Sequence, residues 1–272
     1  IGAGCRGIAQ STVLMLFINT RPDQRASALT QALDQAGYQV EALPLLELVA
    51  EPFSNVLQQL YLELSHVQAV VVVSPTAVDI GMRYLQQAGI ALDQLKHIQW
   101  IAVGQATAQA LARFELQSLV PEVETSEGML HLPILKQQTD LKKIAFWRGL
   151  GGRQFMMQQL QQRGVEILNF VLYHRQCPKQ SVAVFPEIVK KIILNQPVAV
   201  LISSEASWNY WQQLCTQHQL TAQWIYLVLG ARLDQLVRCS QPATTESFNI
   251  IQLENLSASE IIQRMSDWQG HV

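Results

Sequence analysis

Short runs of apolar residues recur along the chain, and each is followed by a turn and by apolar residues at the spacing of an amphipathic helix. Leu16–Asn19 predicts the first strand, and alanines and leucines over residues 28–36 predict a helix that ends at Gly37. Comparable apolar runs follow at Tyr38–Leu43, Val70–Val73, Trp100–Val103, Ile144–Trp147, Ile167–Leu172, Val198–Ile202 and Ile225–Leu229. Almost wholly apolar strands that alternate with helices predict an α/β fold, with parallel sheets covered by helices on both faces.

Three strand–turn–helix units occur twice, in the same order and at nearly one spacing. The matched positions and their offsets are Arg21 and Arg148 (127 residues), Ser74 and Ser203 (129), and Gly104 and Gly230 (126). Strand–helix units resemble one another in general, but the nearly constant spacing favours a duplication. We therefore predict two similar three-layer α/β domains whose turns lie at the carboxyl ends of parallel strands, where open α/β sheets bind ligands.

The two domains need not be cut in the middle of the chain. Equivalent places in the two repeats carry extended segments that end near a proline, at 43–52 and 169–178, as expected of a two-stranded connector. Residues 15–46 and 177–272 are predicted to form one discontinuous domain, and residues 51–171 the domain inserted into it. Residues 1–14 precede the first strand pattern, and we interpret them as a leader or an expression remnant.

Composition narrows the function classes. The chain has 272 residues, 49% of them hydrophobic and 15% charged, which is enough apolar material for two cores. The formal net charge of −2 gives no general attraction to nucleic acid or to an anionic membrane, and no apolar run approaches the roughly twenty residues that cross a bilayer. Four scattered cysteines indicate free thiols and a cytoplasmic protein, and the six histidines lack metal-ligand spacing.

Several motifs, taken together, resemble the uroporphyrinogen-III synthase family over about residues 15–250. They are Asn19–Pro22, Val73–Val78, Ile101–Leu111, Ser126–Gly128, Arg148–Gly149 with Gly152–Arg153, Val171–Tyr173 and Ile202–Ser204. The resemblance implies two α/β domains joined by a two-stranded connector, one of them discontinuous. It also implies a monomeric cytoplasmic lyase of tetrapyrrole and heme biosynthesis that needs no cofactor and no metal.

The implied reaction closes linear hydroxymethylbilane into uroporphyrinogen III, with loss of water and inversion of ring D through a spiro intermediate. Because this substrate carries eight carboxylates, its site needs donors spread over several turns, such as helix N-termini, hydroxyls and guanidinium groups. The candidate substrate-binding residues are Arg21, Ser74, Thr76, Thr107, Ser126, Arg148, Arg153, Ser203 and Ser204. Helix capping alone would also account for Ser203, Ser204 and Thr107, and solvation alone for Arg153.

The resemblance assigns the one candidate catalytic role to Tyr173, which matches the connector tyrosine of the family. Loss of the substrate hydroxyl gives a reactive azafulvene that cyclises unaided without inversion, so we expect catalysis mainly by orientation. Tyr173 would assist by hydrogen bonding to the departing hydroxyl as a weak acid. A purely structural connector residue is the alternative interpretation.

The chain departs from the family pattern at two turns. Gly230–Asp234, which contains Leu233, stands where the family has hydroxyl residues after the glycine, and Pro75 interrupts a small polar turn. A non-enzymatic two-domain small-molecule binding protein is the alternative function. A two-domain sugar-nucleotide transferase is a third, although no nucleotide-binding signature supports it.

Overall fold

The computed structural model describes residues 14–136, 140–151, 154–240 and 248–270. Its strands are β1 (Leu16–Asn19), β2 (Gln39–Ala42), β3 (Glu47–Ala50), β4 (Ala69–Val72), β5 (Gln99–Ala102), β6 (Ser118–Leu119), β7 (Lys143–Gly149), β8 (Glu166–Gln176), β9 (Val198–Ile202), β10 (Trp224–Leu229) and β11 (Asn249–Leu253). Its α-helices are α1 (Asp23–Gln35), α2 (Asn55–Leu62), α3 (Pro75–Gln87), α4 (Gln105–Ala112), α5 (Ser126–Met129), α6 (Phe155–Gln162), α7 (Lys179–Leu194), α8 (Glu205–Gln217), α9 (Gly230–Ser240) and α10 (Ala258–Gly270). The leader predicted over residues 1–14 lies, except for Leu14, outside the described residues and stays a prediction.

The strands form two sheets. A five-stranded sheet has the order β11-β10-β9-β1-β2, and a six-stranded sheet has the order β3-β8-β7-β4-β5-β6. In the first sheet β1 pairs in parallel with β2 and β9, and β10 pairs in parallel with β9 and β11. In the second, β4 pairs in parallel with β5 and β7, and β5–β6 and β7–β8 are parallel pairs. The predicted α/β class with parallel sheets is confirmed.

Each sheet belongs to one compact unit. Unit 1 combines the described residues up to Glu47 with those from Gln176 onwards, and unit 2 is Leu48–Arg175. The order β2-β1-β9-β10-β11 in unit 1 corresponds strand by strand to β8-β7-β4-β5-β6 in unit 2. The duplication inferred from the spacing is therefore visible as a common topology.

Apolar side chains cover both faces of each sheet. In β1, Leu16 and Ile18 pack in one cluster with Trp211, whereas Phe17 packs in a second cluster with Leu33 of α1. Unit 2 likewise has one cluster around Tyr61, Trp147 and Phe170 and another around Phe146, Met156 and Leu160. This arrangement is the three-layer architecture that wholly apolar strands predict. In the parts of the chain that the structure describes, no helix is both long and apolar enough to cross a membrane.

The two extended segments that the sequence singles out lie side by side. Strand β3 neighbours β8 at the edge of the six-stranded sheet. The backbone N–H of Glu51 donates to the carbonyl of Leu172 at 2.9 Å, and the side chain of Gln176 donates to the Glu47 carboxylate at 2.7 Å. Since 51 faces 172 and 47 faces 176, the two segments run in opposite directions.

Candidate active site

The candidate residues of unit 2 gather at one edge of its sheet. Strands β7, β4 and β5 are adjacent and parallel, so their carboxyl ends meet at the same edge. Arg148 lies near the end of β7, Ser74 follows β4, and Thr107 lies in the first turn of the helix after β5. This is the edge at which open α/β sheets bind ligands.

Ser74 is the N-cap of α3, and its hydroxyl holds two partners. Its Oγ accepts a hydrogen bond from the backbone N–H of Ala77 at 3.1 Å and lies 3.0 Å from the hydroxyl oxygen of Tyr173. Pro75 occupies the first helical position, where its fixed φ suits a helix start and no backbone donor is lost. Pro75 therefore does not interrupt the turn, as its departure from the family pattern suggested, but starts the helix.

Tyr173 is packed into this edge rather than extended from it, since its side chain is only 2% exposed. The pairing of β7 with β8 shifts register between Arg148 and Gly149, so that Gly149 pairs with Tyr173. The backbone N–H of Leu150 also donates to the carbonyl of Tyr173 at 2.6 Å. The register shift and this hydrogen bond fix the backbone position of Tyr173, from which its side chain projects.

Gly149 is a site residue whose role the sequence did not predict. A Cβ atom at Gly149 would lie 2.5 Å from Cε2 and 2.7 Å from Cζ of the Tyr173 ring. A side chain at this position would push the ring from its place, because such contacts are far below van der Waals distance. The position after Arg148 in the family motif was the only signal in the sequence.

Arg148 carries a buried positive charge, being 6% exposed. Its guanidinium donates to the backbone carbonyl of Gly151, and no carboxylate contacts it in the described part of the chain. Burial lowers the pKa of the Arg148 guanidinium, and nearby Tyr173 acts in the opposite direction. A buried cation held by a single carbonyl retains donors that can bind an anion.

A carboxylate already occupies the N-terminus of α4. Glu124 accepts a hydrogen bond from the backbone N–H of Gln105 at 2.9 Å, and its carboxylate lies where a Cβ of Gly104 would be. Sequence analysis did not single out Glu124, which is far from α4 in the sequence. Thr107, 2% exposed, is the third residue of this helix and Gly104 is its N-cap, so Thr107 is not a capping residue.

Three further candidates of unit 2 are less defined. Thr76 is half-buried in the first turn of α3, next to the Ser74 cap. Ser126 is the first residue of α5, whose N-cap is Thr125. Arg153 lies outside the described residues, so its predicted role stays a prediction.

Unit 1 places Arg21 and the serine pair after two adjacent strands, β1 and β9. The Arg21 guanidinium donates to the carbonyl of Leu256 at 3.2 Å. Burial lowers the pKa of Arg21, and the positive charge of Arg25 lowers it further. In the described part of the chain Arg21, like Arg148, is held by a carbonyl and not by a carboxylate.

The two serines after β9 have different roles. Ser204 is the N-cap of α8, and a capping box links its side chain and backbone to Ser207. Capping is therefore confirmed for Ser204. Ser203 precedes the cap and is half-buried.

The segment after Gly230, where the sequence departs from the family pattern, contributes one residue to a surface ion pair and another to the core. Gly230 has a φ of +74°, a backbone conformation that favours glycine, and α9 begins there. Arg232 pairs with Glu205 of α8 at 2.6 Å, with both side chains exposed. Leu233 is buried and packs in the core of unit 1. Leu233 thus makes an apolar core contact at a position where the resemblance implied a hydroxyl residue.

In the described residues, side chains that could ligate a metal do not form a cluster. Across the described ranges, no group of three or more histidine, cysteine, aspartate or glutamate side chains is placed to hold a metal ion. The donors collected at the sheet edges are instead hydroxyls, guanidinium groups and backbone N–H groups, which bind anions.

Comparisons with known proteins identify the family. The family model described as uroporphyrinogen-III synthase HemD matches residues 27–238. A uroporphyrinogen-III synthase of Proteus mirabilis is 31% identical over 168 residues, covering 59% of this chain and 80% of the relative. One of Salmonella typhimurium is 28% identical over 236 residues, covering 82% of this chain and 91% of the relative.

Solved structures share the fold. A mutant uroporphyrinogen III synthase of the extreme thermophile Thermus thermophilus superposes with a TM-score of 0.64 at 16% identity, over 94% of this chain and 99% of that one. The uroporphyrinogen-III synthetase of Helicobacter pylori gives a TM-score of 0.53 at 13% identity, with coverage of 94% and 99%. With the family model matching most of its length, the chain belongs to the uroporphyrinogen-III synthase family.

Proposed function

We propose that this protein closes hydroxymethylbilane into uroporphyrinogen III, with loss of water and inversion of ring D. The observation that carries the proposal is the cluster at the sheet edge of unit 2. There the Tyr173 hydroxyl lies 3.0 Å from Ser74, and the buried Arg148 has no carboxylate partner in the described chain. An acid and a cation side by side suit a substrate that loses a hydroxyl and carries carboxylates.

In this proposal the remaining candidates bind the substrate carboxylates. Their positions after parallel strands support the assignment, because backbone donors and helix dipoles point there. The proposed substrate-binding residues are Arg21, Ser74, Thr76, Thr107, Ser126, Arg148, Arg153, Ser203 and Ser204. No charged cofactor is needed for such binding, and the low net charge of −2 is compatible with it because the donors are local.

Tyr173 is the proposed assisting acid. Its hydroxyl donates to the departing hydroxyl of the substrate, while the bound carboxylates fix the chain so that ring D is attacked at its substituted carbon. Most of the acceleration then comes from orientation, and the acid contributes a smaller share.

The proposal extends to the organisation of the protein. We take unit 1 and unit 2 to be two domains, the second inserted into the first, in a cytoplasmic monomer. The division of the contacts supports the domains, and the free Cys177, Cys215 and Cys239 support a reducing compartment. Light scattering on the purified chain tests the monomer. Family membership disfavours the alternative of a non-enzymatic binding protein.

One assay tests the function. Hydroxymethylbilane is generated in place by its own synthase, and the uroporphyrin isomers are separated after oxidation. We expect isomer III, and formation of isomer I alone, as without enzyme, would refute the proposal.

The roles of single residues are tested in the same assay. Tyr173→Phe removes the acid and keeps the ring, so we expect kcat to fall by about a hundredfold, the low end of what a general acid contributes. Thr107→Ala removes a proposed substrate donor and is expected to raise KM. If Tyr173→Phe kept the wild-type kcat and Thr107→Ala kept the wild-type KM, the assignment of these roles would be wrong.

A further inference from the structure

The Ser74 hydroxyl joins a backbone donor to Tyr173. The N–H of Ala77 can only donate, so at 3.1 Å the Ser74 Oγ accepts from it. The same Oγ lies 3.0 Å from the hydroxyl of Tyr173. A serine hydroxyl has one hydrogen, and that hydrogen is free to point at Tyr173 because the contact with Ala77 uses only a lone pair.

We propose that Ser74 is a positioning residue that holds the Tyr173 hydroxyl and donates to it, so that the hydrogen of Tyr173 points at the substrate. The donors then run in one direction, from Ala77 N–H to Ser74 O–H to Tyr173 O–H. Hydrogen bonds that follow one another in this sense polarise each other, and the last hydroxyl becomes a stronger hydrogen-bond donor. The inference rests on the proposed function, because it assigns Ser74 a role in the step that Tyr173 assists.

The balance of the step shows what Ser74 contributes. The C–O bond of the hydroxymethyl group breaks with its electron pair on oxygen, and that oxygen takes the Tyr173 proton and leaves as water. The negative charge left on the tyrosine oxygen is stabilised by the Ser74 O–H, since hydrogen bonds to charged groups are the stronger ones. The cyclised pyrrole later releases one proton, which restores the Tyr173 hydroxyl.

The packing around Tyr173 keeps the ring where Ser74 can reach it. Gly149 leaves room for the ring, and the Tyr173 side chain is almost fully buried. A ring held in this way has few alternative rotamers, so a bond to Ser74 costs little further entropy. Ser204, the N-cap of α8 in unit 1, instead has the hydroxyl of Ser207 at 3.0 Å, within its own helix.

The test compares kcat and KM for isomer III formation in three variants of Ser74. Ser74→Ala removes both capping and donation, and we expect kcat to fall about tenfold while KM changes little. Ser74→Thr keeps the hydroxyl and should restore most of kcat. Ser74→Asp keeps the cap and folds, but its carboxylate accepts from Tyr173 and turns the acidic hydrogen inward, so kcat should fall again.

Ser54→Ala is the matched control. Ser54 is the N-cap of α2 in the same unit, accepts from the N–H of Leu57 at 3.3 Å, and is not a candidate site residue. Its loss measures what a missing cap does to folding, and we expect unchanged kcat and KM. A fall in kcat for Ser54→Ala equal to that for Ser74→Ala would overturn the inference in favour of capping.

A double-mutant cycle with Tyr173→Phe tests whether Ser74 affects kcat through Tyr173. If Ser74 acts through Tyr173, adding Ser74→Ala to Tyr173→Phe changes kcat less than about twofold. Three outcomes would overturn the inference while the wild-type protein still makes isomer III. The losses in kcat of the two single variants could multiply in the double variant, Ser74→Ala could change only KM, or Tyr173→Phe could leave kcat unchanged. Failure of the wild-type protein to make isomer III would instead refute the proposed function.

Discussion

The positively charged side chain of Arg148 is buried, and burial disfavours the charged form of the guanidinium. The guanidinium is held by the Gly151 carbonyl, and burial lowers its pKa, yet arginine stays charged at any ordinary pH. A buried charge without a counter-charge costs stability, and replacing it by an apolar residue of similar size is often neutral or stabilising. Such a residue is more readily explained by a ligand than by the fold.

We therefore predict that Arg148→Met separates stability from binding. The variant should melt at or above the temperature of the wild-type protein, because a desolvated cation is removed. Its KM for hydroxymethylbilane should rise by about tenfold to a hundredfold, the equivalent of one lost bond to a charged group. Thermal unfolding and steady-state kinetics measure the two effects.

Arg163→Met is the control for Arg148→Met. Arg163 also donates to a backbone carbonyl, that of Leu135 at 2.8 Å, but it caps the end of α6 and is not a candidate site residue. This variant should lose some stability and keep its KM. A lower melting temperature for Arg148→Met with an unchanged KM would mean that Arg148 is a structural residue.

At the scale of single residues, the sequence predicted which residues form the candidate site better than it predicted the contacts between them. Ser74, Arg148 and Tyr173 could be named from motifs, and their common sheet edge follows from parallel strands. The bond between Ser74 and Tyr173 depends on the register shift beside Gly149, which no local pattern announces. Glu124 escaped notice because its partner is a backbone N–H, and backbone groups carry no residue signature.

The central strands of both sheets were predicted, whereas two of the four edge strands were not. The apolar runs at 16–19 and 198–202 coincide with β1 and β9, which lie in the middle of their sheet and are buried on both faces. Strands β6 and β11 were not predicted. They lie at sheet edges, where one side needs no partner and polar residues are tolerated, so the apolar signal is weak.

Helix α3 contains a glycine that the sequence gives no reason to expect. Gly81 faces the ring of Trp147, and a Cβ there would overlap Cε3 and Cζ3 of that ring. Trp147 is fully buried and packs edge-on against Trp100, with ring centroids 5.2 Å apart. The close approach of α3 to β7 therefore depends on the missing side chain.

We predict that Gly81→Ala destabilises the protein although alanine is the better helix former. Helix propensity favours alanine by about 1 kcal/mol, whereas overpacking costs about 1–3 kcal/mol and more where the neighbour cannot move. The net loss should appear as a lower midpoint in urea unfolding. Gly270→Ala in α10, where no atom lies within 4 Å of the added Cβ, is the control and should leave the midpoint nearly unchanged.

On the scale of the molecule, the sequence repeats do not coincide with the units. The first repeat supplies β1 and β2 to unit 1 but β4, β5 and β6 to unit 2, and the second repeat does the reverse. Each unit thus joins the first part of one repeat to the later part of the other. The offsets alone indicate the duplication and not this exchange, because they record order along the chain and not pairing between strands. The prediction of one discontinuous and one inserted domain came instead from the two extended segments at 43–52 and 169–178.

Unit 1 contains a whole sheet together with the apolar layers on both of its faces. Both apolar clusters of the five-stranded sheet are drawn from unit 1 alone, and the Glu47 and Gln176 side chains meet at 2.7 Å. A linker of about three glycines spans roughly 10 Å, enough to join Glu47 to Gln176 in place of Leu48–Arg175.

We predict that the shortened chain folds with an α/β circular dichroism spectrum and unfolds cooperatively in urea, because its sheet and both its core layers are complete. The isolated fragment Leu48–Arg175 serves as the comparison and should also unfold cooperatively. If neither chain showed a cooperative transition, each unit would need the other to fold, and the division into two domains would be wrong.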